Sequence, residues 1–227
     1  MRQKLISLFL LLCVSFSLAI PVGAASTNDD VGNTNSEIRI SMVNNIFQNV
    51  EACDLFDPNG VNITSDFIKR HQKNFDDGNI SCIVDEILEK DITVFCSNSP
   101  AVGEISPYLL VNYSATGVIY KSFVYNGTKY LATIGIKLTA KVNDSTNTFS
   151  SIDKPTVTYA NAEGLSKKVE AHFSAANITT SSGSRACQIV CNLNLYCDGN
   201  FYYSKWLLTA STSSNTLKGE FKGSVYP

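Results

Sequence analysis

Residues 109–142 read LLVNYSATGVIYKSFVYNGTKYLATIGIKLTAKV, and the reading of this stretch decides the fold. Two runs rich in β-branched and aromatic residues, 109–125 and 128–142, meet at Asn126-Gly127. Asn-Gly between such runs favours a two-residue turn with positive φ at both central positions, because the twist of that turn matches the twist of paired strands. A two-residue loop also sets the register: Tyr125 faces Thr128, Phe123 faces Tyr130 and Ile119 faces Ile134. Along the second run Tyr130, Ala132, Ile134, Ile136, Leu138, Ala140 and Val142 form one apolar row. Lys129, Thr133, Lys137, Thr139 and Lys141 take the other side. This alternation predicts an antiparallel hairpin with one buried and one wet face.

The same pattern returns near the C-terminus. Cys187, Ile189, Cys191, Leu193, Leu195 and Cys197 alternate with Gln188, Asn192 and Asn194, Asp198-Gly199 supplies the turn, and residues 200–210 return. The implied register sets Leu195 against Tyr202, Cys191 against Trp206 and Ile189 against Leu208, which places the single tryptophan on the core face. Between the hairpins, residues 147–160 and 166–179 read as weaker strands. Pro155, which cannot donate to a ladder, marks an edge or bulge there. Residues 216–225 add a last edge strand, and 92–96 a short early one. Consecutive strands joined by short turns imply a meander closed as a sandwich or a strongly curled sheet.

Upstream of residue 91 the period is helical. Thr34 and Glu37 have capping-box spacing, and Ile38, Met42, Val43, Ile46, Val50 and Cys53 then recur at intervals of three and four. Asp57-Pro58-Asn59-Gly60 ends that segment. A second helix from about Ser65 stacks Phe67, His71 and Phe75, and Asp76-Asp77-Gly78-Asn79 stops it. A third spans 81–90, with Ile83, Val84, Ile87 and Leu88 on one side. The expected class is therefore α+β, with N-terminal amphipathic helices packed on a mainly antiparallel β-meander sheet or sandwich.

The N-terminal segment has a different role. Arg2 and Lys4 precede an apolar run from Leu5 to Ile20, Pro21 breaks it, and Val22-Gly23-Ala24 offers small residues for cleavage. That order is the order of a secretory signal, and the run is short for a membrane span. The expected organisation is a signal peptide over 1–24, a polar disordered leader over 25–35, a helical subregion over 36–91 and a β domain over 92–227, the last two forming one globular unit. Losing Arg2 and Lys4 takes the formal charge from −2 to −4. A mildly acidic chain without a basic stripe does not suit nucleic acid. No membrane span is expected in the mature chain, and the location implied is extracellular, including association with the cell envelope.

The mature chain holds six cysteines: Cys53, Cys82, Cys96, Cys187, Cys191 and Cys197. In an exported protein an even number suggests disulfides. Along one strand Cys187 and Cys191 lie about 13 Å apart, too far to bridge. The strand cysteines must then pair elsewhere, and the expectation is at least one bridge from the helical region to the last hairpin. The other reading is reduced cysteines packed as small hydrophobes. No close Cys-x2-Cys knuckle with a suitable His appears, so no metal site is expected.

The motifs of serine and metal hydrolases and of phosphate-binding loops are absent from the sequence, and no cofactor or catalytic residue is assigned. His172 falls on the polar side of a strand beside Glu170, and His71 on the apolar stripe of a helix. Carboxylate pairs leave no local signature; the acids available to one include Asp54, Asp57, Asp85 and Glu86 in the first half, and Asp144, Asp153, Glu163 and Glu170 in the sheet region. One surface points to binding. With Tyr202 and Trp206 inward, Tyr196, Phe201 and Tyr203 share the opposite face at the hairpin tip, among Asn192, Asn194 and Lys205. Rings rimmed by amides suit stacking on sugars or on a protein partner.

The leader from Arg2 to Ala25 resembles those of Gram-positive bacterial exports. The stretch from Tyr130 through Pro155-Thr156-Val157 to the last hairpin resembles strand-rich domains of small secreted proteins of unknown function from such bacteria. The resemblance implies a compartment and carries no catalytic residues. The function expected from the sequence is a secreted, non-enzymatic accessory or binding protein acting at the cell envelope or on an extracellular glycan or protein ligand. The alternative is a small secreted hydrolase using an unrecognised carboxylate pair. The sequence sets no oligomeric state.

Overall fold

The computed structural model describes residues 31–97, 110–143, 145–146, 148–179, 184–212 and 219–225. The expected signal peptide and residues 25–30 of the expected leader lie outside them. The chain is α+β with antiparallel sheets throughout. Helices α1 (Val31–Gln48), α2 (Thr64–Asp76) and α3 (Ile80–Glu89) alternate with two short strands, β1 (Cys53–Phe56) and β2 (Thr93–Ser97). Eight strands follow: β3 (Leu110–Tyr125), β4 (Thr128–Asn143), β5 (Thr148–Ile152), β6 (Thr156–Ala162), β7 (Val169–Thr179), β8 (Ala186–Cys197), β9 (Asn200–Thr212) and β10 (Gly219–Val225). The first sheet runs β1-β2-β3-β4-β5, with β6 also on β4; the second runs β10-β9-β8-β7.

Both long hairpins take the register that their turns dictate. Tyr125 pairs with Thr128, Phe123 with Tyr130 and Ile119 with Ile134; Leu195 pairs with Tyr202, Cys191 with Trp206 and Ile189 with Leu208. Asn126 and Gly127 have φ of 50° and 79°, and Asp198 and Gly199 of 47° and 83°, the positive pair this turn requires. The weak run over 147–160 splits at Asp153-Lys154-Pro155 into β5 and β6, which occupy successive parts of the same edge of β4.

The inner faces of the two sheets share one core. Ile134, Leu138 and Val142 of the first meet Ile189, Cys191, Leu193, Trp206 and Leu208 of the second, all buried. Phe95 crosses this layer. It is fully buried, its ring centroid is 6.3 Å from that of Trp206, and two glycines make room for it. A Cβ on Gly117 of β3 would stand 3.0 Å from the ring, and one on Gly223 of β10 would stand 2.8 Å from it.

A second core lies on the far side of the first sheet. Met42, Val43 and Ile46 of α1, Phe67 of α2 and Ile83 and Ile87 of α3 pack on Leu55, Val94, Tyr120 and Leu131. Phe47 of α1 stacks on Phe75 of α2 at 4.6 Å. This layer corrects three expectations. First, the wet face of β4 is confined to Lys129 at the turn and to its later part, Lys137 to Lys141: every residue from Leu131 to Ile136 is buried, because the helix layer covers Leu131 and the Tyr159 ring covers Gly135. Second, α1 begins at Val31, before the expected cap at Thr34 and inside the expected leader; a helix anchored by tertiary packing propagates outward at little cost. Third, α1 ends at Gln48, so Val50 is exposed and Cys53 opens a strand. Four residues of β1 pair fully with β2, and four residues are too few for a period to register.

His71, on the apolar stripe of α2, is buried. Its Nε2 lies 2.7 Å from Glu86 Oε2 and its Nδ1 lies 3.1 Å from Asn74 Nδ2. Arg70 and Lys90 donate to the other Glu86 oxygen at 2.8 and 2.9 Å. Burial raises the Glu86 pKa, but the hydrogen bonds from Lys90, His71 and Arg70 outweigh it and hold the carboxyl at about 2 rather than 4.5. A depressed carboxyl contributes stability that is present above its unfolded pKa and lost as pH falls through the folded value. Acid titration should therefore lower stability between pH 4.5 and 2, and Glu86→Gln should flatten that limb in equilibrium unfolding. An unchanged acid limb in the variant would show that this cluster does not link α2 to α3 energetically.

The single disulfide among the described residues joins Cys53 and Cys96, which face each other across β1 and β2 with Cα atoms 4.1 Å apart. It closes a loop with a sequence separation of 43 that contains α2 and α3. Loop-closure entropy for that length is worth about 4 kcal/mol. Urea unfolding of a Cys53→Ser/Cys96→Ser variant should show a loss of that order.

Candidate functional site

The outer face of the second sheet carries the aromatic surface. Core residues occupy odd positions of β8 and even positions of β9, so Tyr196 and Asn194 on β8 and Phe201 and Tyr203 on β9 point away from the core. The structure brings together the three rings singled out in the sequence: Tyr196 pairs with Phe201 and Asn194 with Tyr203. It also adds His172 of β7, opposite Asn194. The His172 ring stacks on Tyr196 at 5.1 Å and 13°, and Tyr196 meets Phe201 at 5.1 Å and 47°. Successive rings sit on neighbouring strands, so their separation follows the inter-strand spacing of about 4.8 Å. Phe201 and Tyr203 are each 54 % exposed. Among the described residues, the helices pack on the first sheet and none lies on this face.

Polar groups hold the row in place. Tyr203 donates to Asn192 Oδ1 at 3.1 Å, and Asn194, itself buried, donates to Ser174 Oγ at 2.9 Å. At the turn end, Lys167, Lys168, Glu170, Tyr196, Asp198 and Gly199 surround a recess of about 270 Å³. Lys168 contacts Glu170 at 2.5 Å and Lys167 contacts Asp198 at 3.3 Å. Tyr125, the last residue before the other hairpin turn, donates to Asp198. Tyr202 donates to the carbonyl of Val124. The two hairpin tips are thereby tied together, which fixes the base of the aromatic row. Lys168 holds the Glu170 carboxyl below the usual range; Tyr125, and after it Lys167, does the same for Asp198.

Among the described residues, several of the other acids named from the sequence are engaged separately. Glu86 is consumed by the His71 cluster, Asp54 accepts from Asn62 Nδ2, Asp57 caps its own turn, and Asp153 accepts from Thr139. Asp144 lies outside the described residues. Glu163 is sealed, with a side chain 2 % exposed and Arg39 Nε at 2.6 Å in an ion contact that lacks hydrogen-bond alignment. Burial raises its pKa against the opposing charge of Arg39. Nearby, α1 and the first sheet leave a recess of about 670 Å³ bounded by Glu37, Ile38, Ser41, Tyr120, Thr133 and Tyr159. The Tyr159 ring lies across Gly135, where a Cβ would stand 2.2 Å from it.

The expected staple to the last hairpin is not formed. Cys53 and Cys96 belong to the helix-side core, whereas Cys187, Cys191 and Cys197 enter the layer between the sheets, so the first sheet separates the two sets. The three β8 cysteines are buried free thiols, and Cys82 is an exposed one on α3. Burial pushes the Cys191 thiol up to about 12 and raises Cys187 and Cys197 as well, which leaves them protonated and poor nucleophiles. Among the described residues no group of three or more His, Cys, Asp or Glu could hold a metal ion, and no helix is long and apolar enough to cross a membrane.

No protein-family model matches the chain, and neither a curated protein nor a solved structure matches it. Functional argument therefore rests on the geometry of the site.

Alkylation of the chain from residue 25 onward reads out the cysteine arrangement. Without denaturant one thiol, Cys82, should react quickly; unfolding without reductant should expose Cys187, Cys191 and Cys197; and only reduction should add Cys53 and Cys96. Intact mass follows each stage, and labelling of Cys53 or Cys96 before reduction would contradict the bridge.

Proposed function

We propose that the chain is an exported, non-enzymatic binding protein whose outer second-sheet face stacks against glycan at the cell envelope. The supporting observation is the continuous row His172–Tyr196–Phe201, with Tyr203 beside it, on a face that no described helix covers. Ring faces attract the C–H faces of sugars, while amides and charges along the rim can satisfy hydroxyls. Rigidity favours the same use, since rings already held by stacking and by Asn192 lose little freedom on binding. The scaffold in this reading is a two-sheet β-sandwich with the helices as a third layer. Export is supported by the leader and by a disulfide, which persists in oxidising compartments.

The alternative reading, a hydrolase with a carboxylate pair, would draw on Glu170 and Asp198, the two acids that line one recess beside Tyr196. A glycoside hydrolase needs one of its carboxyls protonated as the acid. Lys168, Tyr125 and Lys167 keep both of these ionised, which favours binding over hydrolysis.

Purified mature protein should be retained on insoluble envelope glycan, and a Tyr196→Ala/Phe201→Ala/Tyr203→Ala variant should lose at least ten-fold in retention while keeping its unfolding midpoint. Equal retention of the two proteins, or none of either, would remove this face as the site.

A further inference from the structure

A charge interrupts the inward-facing row of β3. Tyr113, Ala115, Ile119, Phe123 and Tyr125 all enter the core between the sheets, and Lys121 falls in the same alternation, opposite Ala132. Its side chain lines a cavity of about 330 Å³ with Phe123, Ile134, Leu193, Leu195 and Ser204. Two strand pairings end beside this cavity among the described residues. On β3, pairing with β2 reaches only Tyr120; on β9, pairing with β10 reaches only Trp206. Beyond those points the described residues leave the layer between the sheets open at one edge.

The Lys121 ammonium has no hydrogen-bond or ion-pair partner among the described residues. The one carboxylate that acts on it, Asp91, does so at longer range and is already bound by Lys129 at 2.9 Å and Ser122 at 2.8 Å. Burial accordingly pushes the Lys121 pKa down, with Asp91 opposing. A desolvated cation without a counter-ion is costly for a fold to keep. Ser204 supplies a second group. It is buried and accepts a hydrogen bond from Trp206 Nε1 at 3.0 Å, which leaves its own hydroxyl proton to donate. Ser122, Tyr202 and Tyr203 also line it, but their hydroxyls already donate to Asp91, to the carbonyl of Val124 and to Asn192, and the rest of the wall is apolar. The cavity therefore offers one cation, one hydroxyl donor and hydrocarbon.

We propose that this cavity binds a small amphipathic monocarboxylate, its head on Lys121 and Ser204 and its hydrocarbon body against Phe123, Ile134, Leu193 and Leu195. A carboxylate has two oxygens for two donors and a single charge for a single cation. A more highly charged head such as phosphate would remain undercompensated in an apolar layer. The cavity borders the aromatic face, since Phe201 and Tyr203 also line it, but the head-group residues Lys121 and Ser204 belong to the inward rows: Ser204 and Tyr203 are neighbours on β9 and point to opposite sides of the sheet.

Calorimetric titration of the mature protein with straight-chain carboxylates from hexanoate to dodecanoate, and with the matching alcohols, tests this. The expected result is saturable binding of at least one carboxylate, with the alcohol of equal length at least ten-fold weaker. Lys121→Met and Lys121→Gln should each weaken the carboxylate at least ten-fold, and Lys121→Arg should retain more of the affinity than either. Two neutral variants are used because methionine can itself fill the cavity, whereas glutamine keeps a polar end; thermal melts confirm that each is folded. Absence of saturable carboxylate binding, equal binding of acid and alcohol, or undiminished affinity in a folded Lys121→Gln protein would overturn the proposal.

Discussion

The seating of Phe95 against Trp206 is the constraint on which the rest of the molecule depends. Phe95 belongs to β2 in the first sheet and Trp206 to β9 in the second, and both are fully buried. The ring fits because β3 and β10 present glycines at the two places where a Cβ would collide with it. Interiors pack at crystal-like density, so such a contact fixes the spacing and rotation of the layers it joins. The Cys53–Cys96 bridge then ties β1 to β2 on the opposite side of the same sheet, where the helices rest.

The helices cover part of the outer face of the first sheet, whereas the second sheet has one face inward and one outward. The outward face bears the rings of His172, Tyr196, Phe201 and Tyr203, and their positions are set by strand register rather than by loops. Tyr125 and Tyr202 bind across the two hairpin tips, so the end of the row is braced by the other sheet. A site built on paired strands keeps its geometry better than one on loops. The cavity that Lys121 lines adjoins this bracing, since Tyr202 belongs to both.

Much of this was legible in the sequence where local chemistry decides the outcome. Asn126-Gly127 and Asp198-Gly199 impose a turn type, the turn type imposes a register, and the register places Trp206 in the core and three rings outside it. What was not legible depended on which element covers which face. The row of Thr133 and Lys137 reads as wet until the helices and the Tyr159 ring are laid over its upper half, and the four residues of β1 gain their identity only from β2. The disulfide was hidden for the same reason, since nothing local says that Cys96 faces the helices while Cys191 faces the other sheet. His172 joined the aromatic row through the pairing of β7 with β8, a strand too irregular for its register to be read alone. Lys121 stands out only once this row of β3 is known to face the core, as a single lysine in an otherwise apolar alternation.

The central claim is that the outward face of the second sheet is where this protein meets its ligand. The most direct measurement is a heteronuclear NMR titration of the labelled mature protein with soluble fragments of envelope glycan. The account predicts perturbed ring resonances of His172, Tyr196, Phe201 and Tyr203 and perturbed amides around Asn192 and Asn194, with Phe95 and Trp206 unmoved. Perturbations centred on the α1 recess around Ile38 and Tyr159, or none at saturating glycan, would contradict it.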